Sequence, residues 1–177
     1  MSLELQPTLQ NALIRIEPLR IDDFEQLYAV ASDPLIWEQH PSRDRYKRDV
    51  FQNFFKGAIE SGGAFKVIDT ESGALIGSSR YYDYDAAKSQ VSVGYTFIAR
   101  SHWAKGFNGA LKDLMLDHAF RFVERVTFEV GVENWRSRKA MEKLGGVYLA
   151  ERAVSYYGEA PRQNVIFKID KGDWVKK

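Results

Sequence analysis

Residues 90 to 133 constrain the fold of this chain more than any other stretch. A strand-like run, Gln90 to Ala99, passes into a glycine-punctuated loop over 103 to 109, then an amphipathic helix, then a second strand-like run from Arg125 to Glu133. The helix is read from Leu111, Leu114, Met115, Ala119 and Phe122, joined by His118, which fall at the spacing of one helical face. Val126, Phe128, Val130 and Val132 alternate along the second run. Strand, helix, strand is a crossover unit, and a crossover between neighbouring strands favours parallel pairing of right-handed sense. The loop thus opens a helix whose first N–H groups lack intrahelical partners and sit at the positive end of the dipole. That arrangement suits an anion, a phosphate above all.

The rest of the chain arranges itself around this unit. Residues 13 to 19 alternate as a first strand, and Asp22 and Asp23 suit the start of a helix carrying Phe24, Leu27, Tyr28 and Ala31. Asp33-Pro34 ends that helix, and Leu35 to Pro41 forms an apolar-aromatic connection. Val50, Phe51, Phe54, Phe55, Ala58 and Ile59 give a second helix closed by Gly62-Gly63. Ala64 to Asp69, Ala74 to Tyr84 and Gln90 to Ala99, separated by turn residues, make an antiparallel meander. After the crossover, a short helix from about Trp135 to Leu144 stops at Gly145-Gly146, and Tyr148 to Tyr157 and Asn164 to Ile169 form a terminal hairpin. The expected fold is α/β (α+β): one domain, with a mixed six- to seven-stranded sheet, an antiparallel meander leading to a parallel central pair, and about four flanking helices.

Composition removes several classes of function. With 25 Lys and Arg against 24 Asp and Glu, a net charge of +1 offers no basic field for nucleic acid. Any anion must be bound locally. The absence of cysteine removes disulfides, thiolate metal ligands and a cysteine nucleophile. No His or carboxylate spacing suggests a metal site, so none is expected. The N-terminal MSLELQPTLQ lacks a basic region followed by a long apolar run, and no segment approaches the ~18 apolar residues of a membrane span. A soluble, cytoplasmic protein is expected.

Two segments stand where they can cooperate in chemistry: the loop 103 to 109 and Asn134-Trp135-Arg136-Ser137 at the mouth of the short helix. Each follows the C-terminal end of a strand, where ligands of open sheets with crossovers collect. Ser137 precedes Ala140, Met141 and Leu144 by three, four and seven positions, which puts its hydroxyl on the inward stripe of that helix. Asn134 also suits the N-cap of the helix.

In element order and in these residues the chain resembles the GNAT superfamily of acyl-coenzyme A-dependent N-acyltransferases, along nearly its whole length. It looks most like the branch of RimJ/RimL-type ribosomal-protein acetyltransferases. The likeness rests on Val93-Gly94-Tyr95, on His102-Trp103-Ala104-Lys105-Gly106-Phe107-Asn108, and on Asn134-Trp135-Arg136-Ser137 followed by Glu142-Lys143-Leu144-Gly145. It implies acetyl-coenzyme A as cosubstrate, with the backbone amides of Ala104, Lys105, Gly106, Phe107, Asn108 and Gly109 on its pyrophosphate. It further implies that the pantetheine arm lies along the backbone near Phe97 and Ile98, that Asn134 contacts this arm, and that Ser137 protonates the leaving thiolate. Departures from the family pattern are Trp103 in place of Gln or Arg, Asn108 in place of Gly or Ala, Met141 in place of a tyrosine acid, and Ser92 in place of a glutamate. The resemblance therefore names no general base.

Trp37, Tyr82 and Tyr95 are the candidate acceptor-binding residues, Trp37 on the connection between the first two helices and the tyrosines on the meander. A core plug is the competing reading for Trp37. His118, on the apolar stripe, reads as a hydrogen-bonded core histidine, and Glu129 as a solvated or salt-bridged carboxylate. The expected activity is direct transfer of an acetyl group to a primary amine in a ternary complex, with a peptide N-terminus or a small molecule as acceptor. Alternatives are a non-catalytic coenzyme A-binding module and a domain binding another phosphate ligand. The exposed end of the last hairpin suits a homodimer.

Overall fold

The computed structural model describes residues 1–155 and 159–174. Among the described residues eight strands form one sheet in the order β1-β2-β3-β4-β5-β6-β8-β7. They are β1 (Leu9–Gln10), β2 (Ile14–Pro18), β3 (Ala64–Asp69), β4 (Leu75–Asp85), β5 (Gln90–Ile98), β6 (Arg125–Gly131), β7 (Val147–Val154) and β8 (Arg162–Asp170). Among the described residues the helices are α1 (Phe24–Ala31), α2 (Arg48–Ser61), α3 (Phe107–Ala119) and α4 (Trp135–Leu144), with short 3-10 turns between elements. The expected mixed sheet with its antiparallel meander and parallel centre is present. Its strand count is eight instead of six to seven, because the two-residue β1, paired through Leu9 to Ile16, is too short to show a period. Of the run expected over 148 to 157, β7 covers Tyr148 to Val154, and Tyr156 and Tyr157 lie outside the described residues.

Two cores sit on the two faces of the sheet. Under α3, Leu111, Met115, Leu116 and Ala119 pack on Ile16, Phe65, Val67, Val91, Val93, Val126 and Phe128. Under α1 and α2, Leu27, Phe51, Phe54 and Phe55 pack with Trp37 and Phe97. Burying each such large apolar side chain contributes about 1.5–3 kcal/mol, so these faces hold the helices on the sheet more firmly than helix propensity does. α4 stops where the sequence indicates: Gly145 takes φ +99, and the Gly146 amide donates to the Met141 carbonyl at 2.8 Å.

Two details of β5 position the site. Ser78 faces Phe97 and Arg80 faces Gly94, so β5 carries one extra residue and bulges, with Tyr95 at φ +53. Parallel pairing with β6 is confined to Gln90–Arg125, Val91–Val126 and Ser92–Thr127. Beyond that β5 stays with β4 and β6 with β8, so the two strands part and leave a cleft at the centre of the sheet.

Candidate active site

The segment after β5 makes a 3-10 turn over Arg100–His102 and then reverses through Ala104 at φ +57 and Gly106 at φ +86 before α3 begins at Phe107. Phe107 to Gly109, read from the sequence as loop, are thus the first helical turn. No side chain caps this terminus. From Ala104 to Gly109, six consecutive amides have no acceptor among the described residues, and the first bond of the helix is Ala110 N to Gly106 O at 3.0 Å. Ala104, Lys105, Gly106, Asn108 and Gly109 are exposed. Nothing lies within 4 Å of where a Gly109 side chain would begin, so an incoming group can reach the backbone. This concave row of N–H groups on a helix N-terminus is chemically fitted to a pyrophosphate.

The parted strands lie next to this row. Ser92 and Thr127 hydroxyls, 2.7 Å apart, close the base of the cleft. Phe97 is buried with α2, whereas the Ile98 carbonyl accepts the Trp103 indole N–H at 2.8 Å. That carbonyl keeps one lone pair for a further donor. The Arg136 guanidinium lies 4.1 Å from the Trp103 ring centroid, so the start of α4 touches the loop before α3 across the cleft. The connection between α1 and α2 ties down the same end of α4: Gln39 Oε1 accepts from the Arg136 amide at 3.0 Å. A side chain at Gly131 would collide with the Pro41 ring, so only glycine permits that approach.

At the mouth of α4 the Asn134 side chain accepts the Ser137 amide at 3.3 Å, as an N-cap. The Ser137 side chain is half-buried, and its hydroxyl has no hydrogen-bond partner among the described residues. A hydroxyl without a partner remains able to donate.

The acceptor-side candidates occupy different depths. Trp37 is 2% exposed inside the α1/α2 core, and its indole N–H is engaged by the Ala31 carbonyl at 2.8 Å. It acts through packing. Tyr82 and Tyr95 make an edge contact, ring centroids 5.1 Å apart, beside the bulge, and Tyr82 lies over Gly94. Their neighbour Tyr81 faces the other way and donates its hydroxyl to the Met115 carbonyl of α3. Glu129 pairs with Arg152, and His118 Nε2 lies 2.9 Å from the Glu4 carbonyl, in the core.

Three features stand near the cleft, and the sequence singled out neither Arg80 nor Lys112. Arg80, 5% exposed on β4, lies 3.7 Å from the Tyr95 ring centroid. Arg45, 1% exposed, is held by Glu159 at 3.1 Å and stands 4.7 Å from the Phe54 ring centroid, while Ser42 donates to the same carboxylate. Beside them His40 is half-buried, and desolvation of its ring, with Arg45 nearby, holds its imidazole well below the usual range and therefore neutral. Lys112, 3% exposed on α3, reaches Thr96 behind the bulge. Arg80 interrupts the run Ser78 to Tyr84 in the middle of a strand, the one signal that points to it. Among the described residues no helix is long and apolar enough to cross a membrane. An open depression of about 770 Å³ lies between α1 and the start of the 3-10 turn at Arg100, and none of these groups lines it.

A mixed sheet parted at its centre, with a bare helix N-terminus beside the gap, defines the class of acyl-coenzyme A-dependent transferases. The family model of the acetyltransferase (GNAT) domain matches residues 14–147, and the chain belongs to that family. Its fold is shared by a GCN5-related N-acetyltransferase from Brucella melitensis at TM-score 0.80 and 20% identity, over 96% of this chain and 80% of that one. An acetyltransferase of the GNAT family from Bacillus anthracis superposes at TM-score 0.75 and 16% identity, over 94% and 99%. Mycobacterium smegmatis RimJ, in complex with CoA-disulfide, superposes at TM-score 0.70 and 17% identity, over 92% and 84%. No curated protein matches the sequence.

Proposed function

We propose that this enzyme transfers an acetyl group from acetyl-coenzyme A directly to a primary amine, within a ternary complex and without an acyl-enzyme. The observation that carries the reading is the row of six amides from Ala104 to Gly109, without an acceptor among the described residues, beside the parted strands. Those amides hold the pyrophosphate, Lys105 adds a nearby cation, and the backbone at Phe97 and Ile98 lines the pantetheine path with Asn134 opposite. Acetyl-coenzyme A supplies an activated thioester, whose carbonyl carbon the amine attacks. The Ser137 hydroxyl, without a partner among the described residues, donates a proton to the departing thiolate. The absence of cysteine from the sequence accords with direct transfer. A peptide N-terminus is the acceptor favoured by the RimJ/RimL-like motifs.

The test is release of free coenzyme A from acetyl-coenzyme A and a panel of amines, in wild type and in Ser137→Ala. Turnover should fall about 10²–10⁴-fold in the variant, the range for a general acid, while coenzyme A affinity holds. Unchanged turnover would remove Ser137 from the mechanism, and release by no amine at all would remove the acetyl-transfer reading.

A further inference from the structure

The two faces of the central sheet differ in chemistry. Val91, Val93, Val126, Phe128 and Val130 turn toward α3 and are apolar. On the opposite face, β4, β5 and β6 present Arg80 and Tyr82, Ser92 and Gly94, and Thr127 and Glu129. This face flanks the cleft, because Gly94, opposite Arg80, lies two residues past the last β5–β6 pair at Ser92. Strand alternation puts Arg80 on it: Tyr81, next in sequence, bonds to α3 on the other side.

Two other buried charges over this face, Arg45 and Glu129, have partners. Arg45 is paired with Glu159, and Glu129 with Arg152. Arg80 has neither a salt bridge nor a side-chain hydrogen bond among the described residues, and its Nε is fully enclosed without an acceptor. Its neighbours are the faces of Tyr95 at 3.7 Å and Phe54 at 5.5 Å. Tyr95 provides a π-face and no charge, since burial raises its phenol above the ordinary value and keeps it neutral. Burial pushes the Arg80 guanidinium down to about 10, Arg45 adding to the effect, so it remains cationic at neutral pH. Arginine is rarely this buried without an anion, because cation–π contact offsets only part of the lost hydration.

We propose that the acceptor amine carries a carboxylate and that Arg80 binds it. This rests on the acetyl-transfer reading and narrows its acceptor. Arg80 stands opposite Gly94, just past the point where β5 and β6 part, so a carboxylate bound to it places an amine a few bonds away at the parted strands. Tyr82 and Tyr95 wall the carboxylate in, and Gly94 lets the Tyr82 ring lie close against the strand, since a side chain there would press on it. The carboxylate comes either from a free amino acid or from an acidic residue near a peptide N-terminus.

Coenzyme A release is measured with free amino acids against the corresponding amino-acid amides, and with peptides bearing Asp or Glu against Asn or Gln at the first two positions. Wild type should prefer the carboxylate at least about tenfold in kcat/KM in one of the two sets, and that set identifies the source. Arg80→Gln should abolish the preference, Arg80→Lys should restore part of it, and both should bind coenzyme A as wild type does. In parallel, the same compounds are tested by thermal unfolding without acetyl-coenzyme A. Carboxylates that stabilise wild type and not Arg80→Gln, with no coenzyme A released, would sustain this assignment while ending the acetyl-transfer reading. Equal use of amides and acids by wild type, or an Arg80→Gln defect confined to coenzyme A binding, would overturn it.

Discussion

Lys112 carries a prediction whose size follows from where it sits. It lies on the second turn of α3, 3% exposed, and its only polar contact among the described residues is the Thr96 hydroxyl at 2.8 Å, itself 2.8 Å from Ser79. Burial pushes its ammonium down from the ordinary 10.5 to about 7. At 1.36 kcal/mol per pH unit, that difference amounts to ~5 kcal/mol of cost for keeping the native lysine charged. Between about pH 7 and 10.5 the unfolded chain holds a proton that the folded chain has released, so stability rises with pH by ~1.4 kcal/mol per unit. Below pH 7 both states are charged and the full cost is present. Lys112→Met keeps the length of the side chain and removes the charge, at the loss of one hydrogen bond worth about 1 kcal/mol. The variant should therefore be more stable than wild type by up to ~4 kcal/mol at pH 6, with the gap shrinking steadily toward pH 9.5. Urea unfolding followed by circular dichroism at half-unit intervals measures this difference. The range stops at 9.5 to keep clear of Tyr81, whose phenol burial raises above its ordinary value. A gap that does not change with pH, or a Met variant weaker at pH 6, would refute the argument.

Two further substitutions separate stability from ligand binding. Gly109 is the third residue of α3, and nothing lies within 4 Å of its missing side chain. Gly109→Asp should raise stability by about 0.5–1 kcal/mol, through lower backbone freedom and a favourable dipole, yet weaken coenzyme A at least about tenfold by calorimetry, because its carboxylate repels the pyrophosphate. Retained affinity would move the phosphate site away from this turn. Arg45→Met should cost about 3 kcal/mol in denaturant unfolding, since it leaves the largely buried Glu159 carboxylate without its cation. A neutral effect would show that this ion pair is open to water in solution.

How much of this was legible in the sequence depended on periodicity. α2 and α3 show an apolar face at helical spacing, and β3, β4 and β5 are bounded by turn residues, so the meander, the crossover and the parallel pair could be read in order. The row of amides was legible too, as a glycine loop running into a helix, although the helix starts at Phe107 and takes Gly109 into its first turn. What escaped were single residues whose surroundings come from elsewhere in the chain. Tyr95 at φ +53 is invisible because left-handed backbone at a tyrosine follows from a register mismatch with β4, and no property of the residue signals it. The contact of Gln39 with the Arg136 amide joins residues 97 apart, and Trp103 meets Arg136 only once both strands have left the sheet.

Arg80 and Lys112 show the same blindness with opposite consequences. In sequence each is one more cation in a chain whose charges nearly balance, and a lone cation on an amphipathic element is ordinarily solvated. In the fold they lie on opposite faces of the sheet on either side of the β5 bulge, Arg80 under Tyr95 and Lys112 behind Thr96. Lys112 can shed its proton near neutral pH and so reduce the cost of its burial. Arg80, held at about 10, cannot, and its charge must be met by something else. A sheet with an apolar face would be more stable with leucine at that position. The presence of a guanidinium beside the cleft is therefore better explained by what enters the cleft than by what holds the fold together.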